Sequence, residues 1–236
     1  RAVKGEFRII DDLFAPLAAD APGAFQLTDD AALIGDFVVT KDMLIEGVHF
    51  LKSDPPDLVA RKLVRVNVSD LVAKGARPVG YFLACAWPAS VKPATIEAFA
   101  RGLKEDQAAY KIALYGGDTT RHVAAAGPLT LSATFFGTAP RAGMVRRNGA
   151  SAGDDLFVSG TIGDAGLGLA LLEKREKFPV ADAEFLTARY RLPEPRATLG
   201  GALPGLASAA IDVSDGLLAD TGHLARLAGL TPAGAP

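Results

Sequence analysis

Cysteine is nearly absent from this chain. Cys85 stands alone, which excludes an internal disulfide framework and a cysteine-rich zinc site. It lies in the apolar run of residues 81–87, where a thiol serves as a small buried hydrophobe. No block of Lys or Arg occurs and the net charge is −2, so no electrostatic footprint for nucleic acid or an anionic membrane is expected. Long unbroken apolar runs are also missing. Residues 123–140 carry no charge, but Gly, Pro, Ser and Thr interrupt them, so they do not read as a membrane helix. Residues 1–10 lack the apolar core of a signal peptide, and the expected location is cytoplasmic.

What remains is an ordinary globular composition, 49% hydrophobic and 22% charged over 236 residues, enough for one large domain or two modest ones. Residues 6–18 place Phe7, Ile10, Phe14 and Leu17 at helical spacing. A strand is expected at residues 37–40. Asp54-Pro55-Pro56 reads as an N-cap followed by proline, opening a helix that runs to about Lys74 and closes at Gly75. That helix has almost no polar face, so it is expected to be buried, with Asn67, Asp70 and Lys74 on one side. Further strands are expected at 79–87, 112–115, 129–135, 156–159 and 209–213. Helices are expected at 93–111, from the turn of residues 160–168 to about Glu173, at 184–190, at 196–206 and beyond Gly216. The glycine-rich turn of residues 160–168 suits an anion but matches no standard phosphate-loop pattern. Residues 139–153, with Arg141, Arg146 and Arg147, have the composition of a connection between domains.

The chemistry resides in aspartates. The apolar run 112–115 stops at Gly116-Gly117, followed by Asp118-Thr119-Thr120-Arg121. Paired glycines let a backbone approach an anion, and Asp118 offers a hard oxygen ligand of the kind Mg²⁺ takes beside substrate phosphates. A tight turn with a solvated Asp explains that stretch alone equally well. The pattern repeats, however, at Asp29-Asp30, Asp42, Asp70 and Asp212/Asp215, beside Gly, Ser or Thr and with no soft ligands. Such a set selects Mg²⁺ or Mn²⁺, and so many carboxylates tolerate one another only around several cations and a polyanion such as a nucleotide triphosphate. Lys74 as a plain ion-pair partner of Asp70 is the competing reading at that position. Arg146-Arg147 beside Gly149 suit a phosphate or are simply solvated. His49, taken alone, reads as structural.

In order along the chain occur Gly5-Glu6-Phe7, Thr28-Asp29-Asp30, Asp42 with Glu46-Gly47-Val48-His49-Phe50, and Asn67-Val68-Ser69-Asp70. Gly116-Gly117-Asp118-Thr119-Thr120, Arg147-Asn148-Gly149-Ala150, Val158-Ser159-Gly160-Thr161 and Ile211-Asp212-Val213-Ser214-Asp215-Gly216 follow. The set resembles the thiamine-monophosphate kinase family of the aminoimidazole-ribonucleotide synthetase-like superfamily, over about residues 5–223. The resemblance implies an α/β fold with mixed sheets in two domains. Residues 1–140 would form the metal- and ATP-binding domain, dimerising through its sheet, and residues 141–236 an α/β domain shorter than the family's. It implies phosphorylation of thiamine monophosphate by ATP. Asp30, Asp42, Asp70, Asp118, Asp212 and Asp215 would hold magnesium ions, helped by Thr40. Gly117, Asp118, Arg147 and Ser214 would face ATP, and His49 the substrate.

Three departures stand out. Thr28 replaces the family's glycine before Asp29-Asp30. Lys41 replaces a threonine ligand, leaving only a backbone carbonyl for that metal contact. The family's later Gly-Gly-Glu-Asp-Tyr segment, which completes its substrate pocket, has no counterpart up to Thr231-Pro232-Ala233-Gly234-Ala235-Pro236. A phosphate acceptor is already anionic, so no general base is expected, and His49, His122 and His223 form no base–orienter pair in the sequence. Siblings on the same scaffold are the alternatives, as are a non-catalytic nucleotide-binding subunit and a metal-dependent phosphohydrolase. The thiol-dependent siblings would need a reactive cysteine that Cys85 does not supply.

Overall fold

The computed structural model describes residues 5–124 and 126–230. The terminal stretch from Thr231 to Pro236 therefore lies outside the described residues. Five strands form one mixed sheet in the order β1-β2-β5-β3-β4. They are β1 (Ala32–Ile34), β2 (Phe37–Ile45), β3 (Arg77–Trp87), β4 (Ala113–Arg121) and β5 (Thr130–Thr138). Only the β3–β4 pair is parallel, and helix α3 (Pro93–Tyr110) makes the crossover between them. A short α1 (Glu6–Ile9) precedes the sheet, and α2 (Pro56–Ala73) follows β2. Past the sheet come α4 (Asp164–Leu172), α5 (Val180–Arg191), α6 (Ala197–Gly200) and α7 (Leu217–Leu227).

Helix α2 is buried as its sequence requires. Val59, Leu63, Val64, Val68 and Leu71 join Val38 and Leu44 of β2, Tyr81 and Cys85 of β3, and Leu131, Ala133 and Phe135 of β5 in one core. The strand expected at 129–135 forms, with Leu131, Ala133 and Phe135 buried in the core, and Tyr81 stacks on Phe135 with ring centroids 4.6 Å apart. Cys85 is 6% exposed, and burial pushes its thiol up to about 11. A thiolate there is disfavoured, so Cys85 is a core residue and not a nucleophile.

Several elements differ from the sequence reading. The segment 6–18 is helical but broken into α1, a π turn (Ile10–Phe14) and a 3-10 turn (Ala15–Ala18), because Pro16 has no N–H for a regular ladder. β4 does not stop at the two glycines but runs on to Arg121, and all nine of its residues are exposed, since it is an edge strand without a helix over it. Residues 156–159 and 209–213 lie in no strand, because none of the described segments offers them a ladder. The helix expected at 196–206 shrinks to α6. Asp54 does not cap α2: it accepts the Leu51 N–H at 2.8 Å and pairs with Arg191 at 2.8 Å. Among the described residues no helix is long and apolar enough to cross a membrane.

The face of the sheet away from α2 is open. Phe37, Met43, Phe82 and Tyr115 are exposed on or beside it, and Phe82, Tyr115 and Phe136 form an aromatic cluster with centroids 5.2–6.5 Å apart.

Candidate functional site

Three segments converge at the end of α2. The loop before β1 brings Asp30, the last full turn of α2 brings Asp70, and residues 209–213 bring Asp212. One oxygen from each of these carboxyls lies within 4.8 Å of the others. Gly149 makes this convergence possible, because a Cβ there would sit 1.9 Å from the Ser208 carbonyl oxygen and push the two passing segments apart. Behind Gly149, Ala210 N–H donates to the Arg146 carbonyl at 3.2 Å. Thr40, 4% exposed on β2, places its hydroxyl 2.5 Å from Asp70 Oδ2 and 3.2 Å from the Asp30 carbonyl.

Mutual repulsion is the electrostatic signature of the cluster. Burial, then the charges of Asp212, Asp42 and Asp30, push the Asp70 carboxyl well above the usual carboxylate range, against the Thr40 hydrogen bond. Burial and Asp30 hold Asp212 up to about 6, with Asp42 adding to the rise and the Ser69 hydrogen bond and Lys74 opposing it. Burial and Asp30 likewise raise Asp42, while His49 works the other way. These are hard oxygen donors pressed together with no nitrogen or sulfur ligand among them, and that chemistry fits a magnesium-like ion.

The neighbouring Asp29 behaves oppositely. Burial would raise it, but Lys74, Arg146 and the Arg147 N–H outweigh that and hold it low. Lys74 does not pair with Asp70, the partner its i+4 spacing suggests. Its ammonium instead lies 2.9 Å from Asp29 Oδ1, 2.6 Å from Asp30 Oδ2 and 2.7 Å from the Ala210 carbonyl. Arg146 pairs with Asp29 at 2.5 Å and lays its guanidinium 3.3 Å from the Phe25 ring centroid. Arg147 pairs with Asp30, and among the described residues its buried Nε–H has no acceptor and the buried Asp30 Oδ2 accepts no hydrogen bond. Sequence reasoning missed this clasp. The available signal was that a lysine at the end of an apolar helix must reach some acceptor.

The remaining predicted site residues are placed differently. Asp118 lies on exposed β4, in register with Ala84, which faces Ser132, which faces Met43. Asp42 is in register with Ala133 and so projects to the opposite face. Two strands separate β4 from β2, about 14 Å at the usual strand spacing, so within one chain Asp118 is not part of the cluster. Gly117 serves its own sheet: a Cβ there would lie 1.7 Å from the Leu83 carbonyl oxygen. Lys41 turns its ammonium to Ser132 Oγ at 2.8 Å, away from the acids. Ser214 and Asp215 are exposed, outside the three-oxygen group. The N–H groups of Ser214, Asp215 and Gly216 are taken by Asp220 Oδ2 at 3.0–3.2 Å, so this turn presents no free amides to an anion. At the glycine-rich turn before α4, Thr161 donates to Asp164, which places a carboxylate in the first turn of the helix. His49 is exposed, and its Nδ1 accepts the Ile45 N–H at 3.0 Å, which leaves the proton of the neutral ring on Nε2.

The chain matches known proteins over most of its length. The family model described as AIR synthase related protein, N-terminal domain, matches residues 28–139. A thiamine-monophosphate kinase of Caulobacter vibrioides is 51% identical over 229 residues, covering 95% of this chain and 63% of that protein. The Escherichia coli thiamine-monophosphate kinase is 39% identical, covering 94% of this chain and 69% of that protein. A solved structure described as "AaThiL complexed with AMPPCP and TMP" superposes with a TM-score of 0.83 at 35% identity, covering 95% of this chain and 71% of that one. The chain thus spans somewhat less than two thirds of the length of the Caulobacter protein.

Proposed function

The chain belongs to the thiamine-monophosphate kinase family, and from that premise we propose that it transfers the γ-phosphoryl group of ATP to the phosphate of thiamine monophosphate, giving thiamine diphosphate. The observation that carries the reading is the meeting of Asp30, Asp70 and Asp212 beside Arg147, whose buried Nε–H lacks an acceptor among the described residues. Asp70 and Asp212 would hold magnesium, with Asp30, Asp42 and the Thr40 hydroxyl at the rim. When bound, the metal neutralises phosphate charge and polarises phosphoryl oxygens. Arg147 exchanges its Asp30 partner for a phosphate oxygen, which is the charge-assisted contact a guanidinium makes best. His49 presents Nε2–H as a donor to the acceptor, and its Nδ1 is engaged by its own turn, so it binds and does not abstract a proton. The acceptor phosphate is itself the nucleophile, and the chain needs only to align it and neutralise charge.

The open aromatic face of the sheet supports a homodimer with a second copy of the chain, with Asp118 on the face so covered. Two domains, residues 1–140 and 141–236, and a cytoplasmic location complete the proposal. The test is an assay of the natural protein with Mg²⁺, ATP and thiamine monophosphate. Thiamine diphosphate should form in step with ADP, and removal of the acceptor should abolish ADP release. ADP and inorganic phosphate formed at the same rate without acceptor would establish a phosphohydrolase instead.

A further inference from the structure

The Lys74 ammonium is fully buried against three oxygens at 2.6–2.9 Å: it donates hydrogen bonds to Asp29 Oδ1 and the Ala210 carbonyl and forms an ion pair with Asp30 Oδ2. Each of those oxygens comes from a segment that carries or adjoins an acid of the cluster. The other two cations at the Asp29–Asp30 turn differ in kind, since the Arg146 and Arg147 side chains are 26% and 21% exposed and so stand at the surface of the site. Lys74 has no such exposure. Its backbone closes α2 with both polar groups engaged: its N–H donates to the Asp70 and Leu71 carbonyls at 3.2 Å, and its carbonyl accepts the Val145 N–H at 3.1 Å. An ammonium held by three hard oxygens occupies the kind of environment that an oxygen-ligated metal ion takes.

We propose that Lys74 is a resident cation of the acidic site, standing where the Asp29–Asp30 turn would otherwise bind a metal ion. It lets Asp29 and Asp30 stay together and buried before any ligand arrives, and it joins residues 28–30, α2 and residues 209–213 into one frame. It also restricts Asp30: Lys74 is ion-paired with one carboxylate oxygen and Arg147 is bonded to the other, so exchangeable metal is left chiefly to Asp70 and Asp212. The proposal rests on the metal-site reading above but is tested separately from it.

The experiment is a Mn²⁺ titration of the natural protein followed by electron paramagnetic resonance, without substrates. Lys74→Ala vacates the ammonium's place and leaves its three oxygens. It should take up one further Mn²⁺ per chain than the wild type, and added Mn²⁺ should raise its unfolding temperature more than that of the wild type. Lys74→Met refills the space without charge and should show no additional ion. Should Lys74→Ala fail to fold, the Asp29→Asn, Lys74→Ala double variant carries one charge fewer and should give the same added ion. An ion count equal to that of the wild type in the alanine variant would overturn the proposal while leaving the metal site standing. A wild type that takes up no Mn²⁺ would overturn both.

Discussion

Asp70→Asn is expected to make the metal-free protein more stable and the enzyme nearly inactive. Without a metal, Asp70 sits among Asp30, Asp42 and Asp212 with the Thr40 hydroxyl as its close hydrogen-bond donor, and burial and like charge both disfavour its ionised form. An amide of the same shape keeps the Thr40 contact and removes the repulsion. Thermal unfolding in EDTA at pH 7 should therefore shift upward, by an amount corresponding to about 1 kcal/mol or more. Turnover should fall by about a thousandfold, the several kcal/mol of charge stabilisation that a lost metal ligand represents. Destabilisation combined with near-normal turnover would show that Asp70 is only a packing residue.

Gly117→Ala should damage the fold itself. The added Cβ would meet the Leu83 oxygen at 1.7 Å, its carbon at 2.7 Å and its nitrogen at 2.9 Å, all of them backbone atoms of a central strand. Nothing flexible can give way, so β4 must separate from β3, at a cost of about 3 kcal/mol or more. Gly116→Ala is the control. The two glycines share nearly the same φ, 153° and 156°, but at Gly116 the nearest atoms are Phe82 ring carbons at 3.5 Å, an ordinary contact. Urea unfolding should give a midpoint much lower for Gly117→Ala than for Gly116→Ala. Equal midpoints would mean that the clash is relieved by movement and that the glycine pair serves only the ligand.

Periodicity made the sheet domain readable. Helix α2 is buried as its nearly continuous apolar surface requires, and strand β5 buries Leu131, Ala133 and Phe135 at period two. Where an element lacks a covering partner, the sequence misled. The apolar stretches at 156–159 and 209–213 have the composition of strands, yet a ladder needs a neighbour, and Phe157 is left 87% exposed. Gly116-Gly117 punctuates like a turn, but the strand runs on through them, at φ values of 153° and 156° that L residues rarely adopt, and Gly117 admits the close passage of Leu83. At the site, Asp30, Asp70 and Asp212 were legible as acids needing a cation. Their meeting depends on loops that no pattern encodes. The Lys74 partner was misassigned for the same reason: spacing along a helix says which side a residue occupies, and it says nothing of which loop passes there.

The most direct measurement is an anomalous difference map, at the manganese edge, of crystals of the natural protein grown with Mn²⁺ and a non-hydrolysable ATP analogue. The account predicts a manganese peak about 2.2 Å from carboxylate oxygens of Asp70 and Asp212, with a phosphate of the analogue on the same ion and Arg147 turned toward it. Manganese found only away from Asp70 and Asp212, with Arg147 still on Asp30, would contradict it.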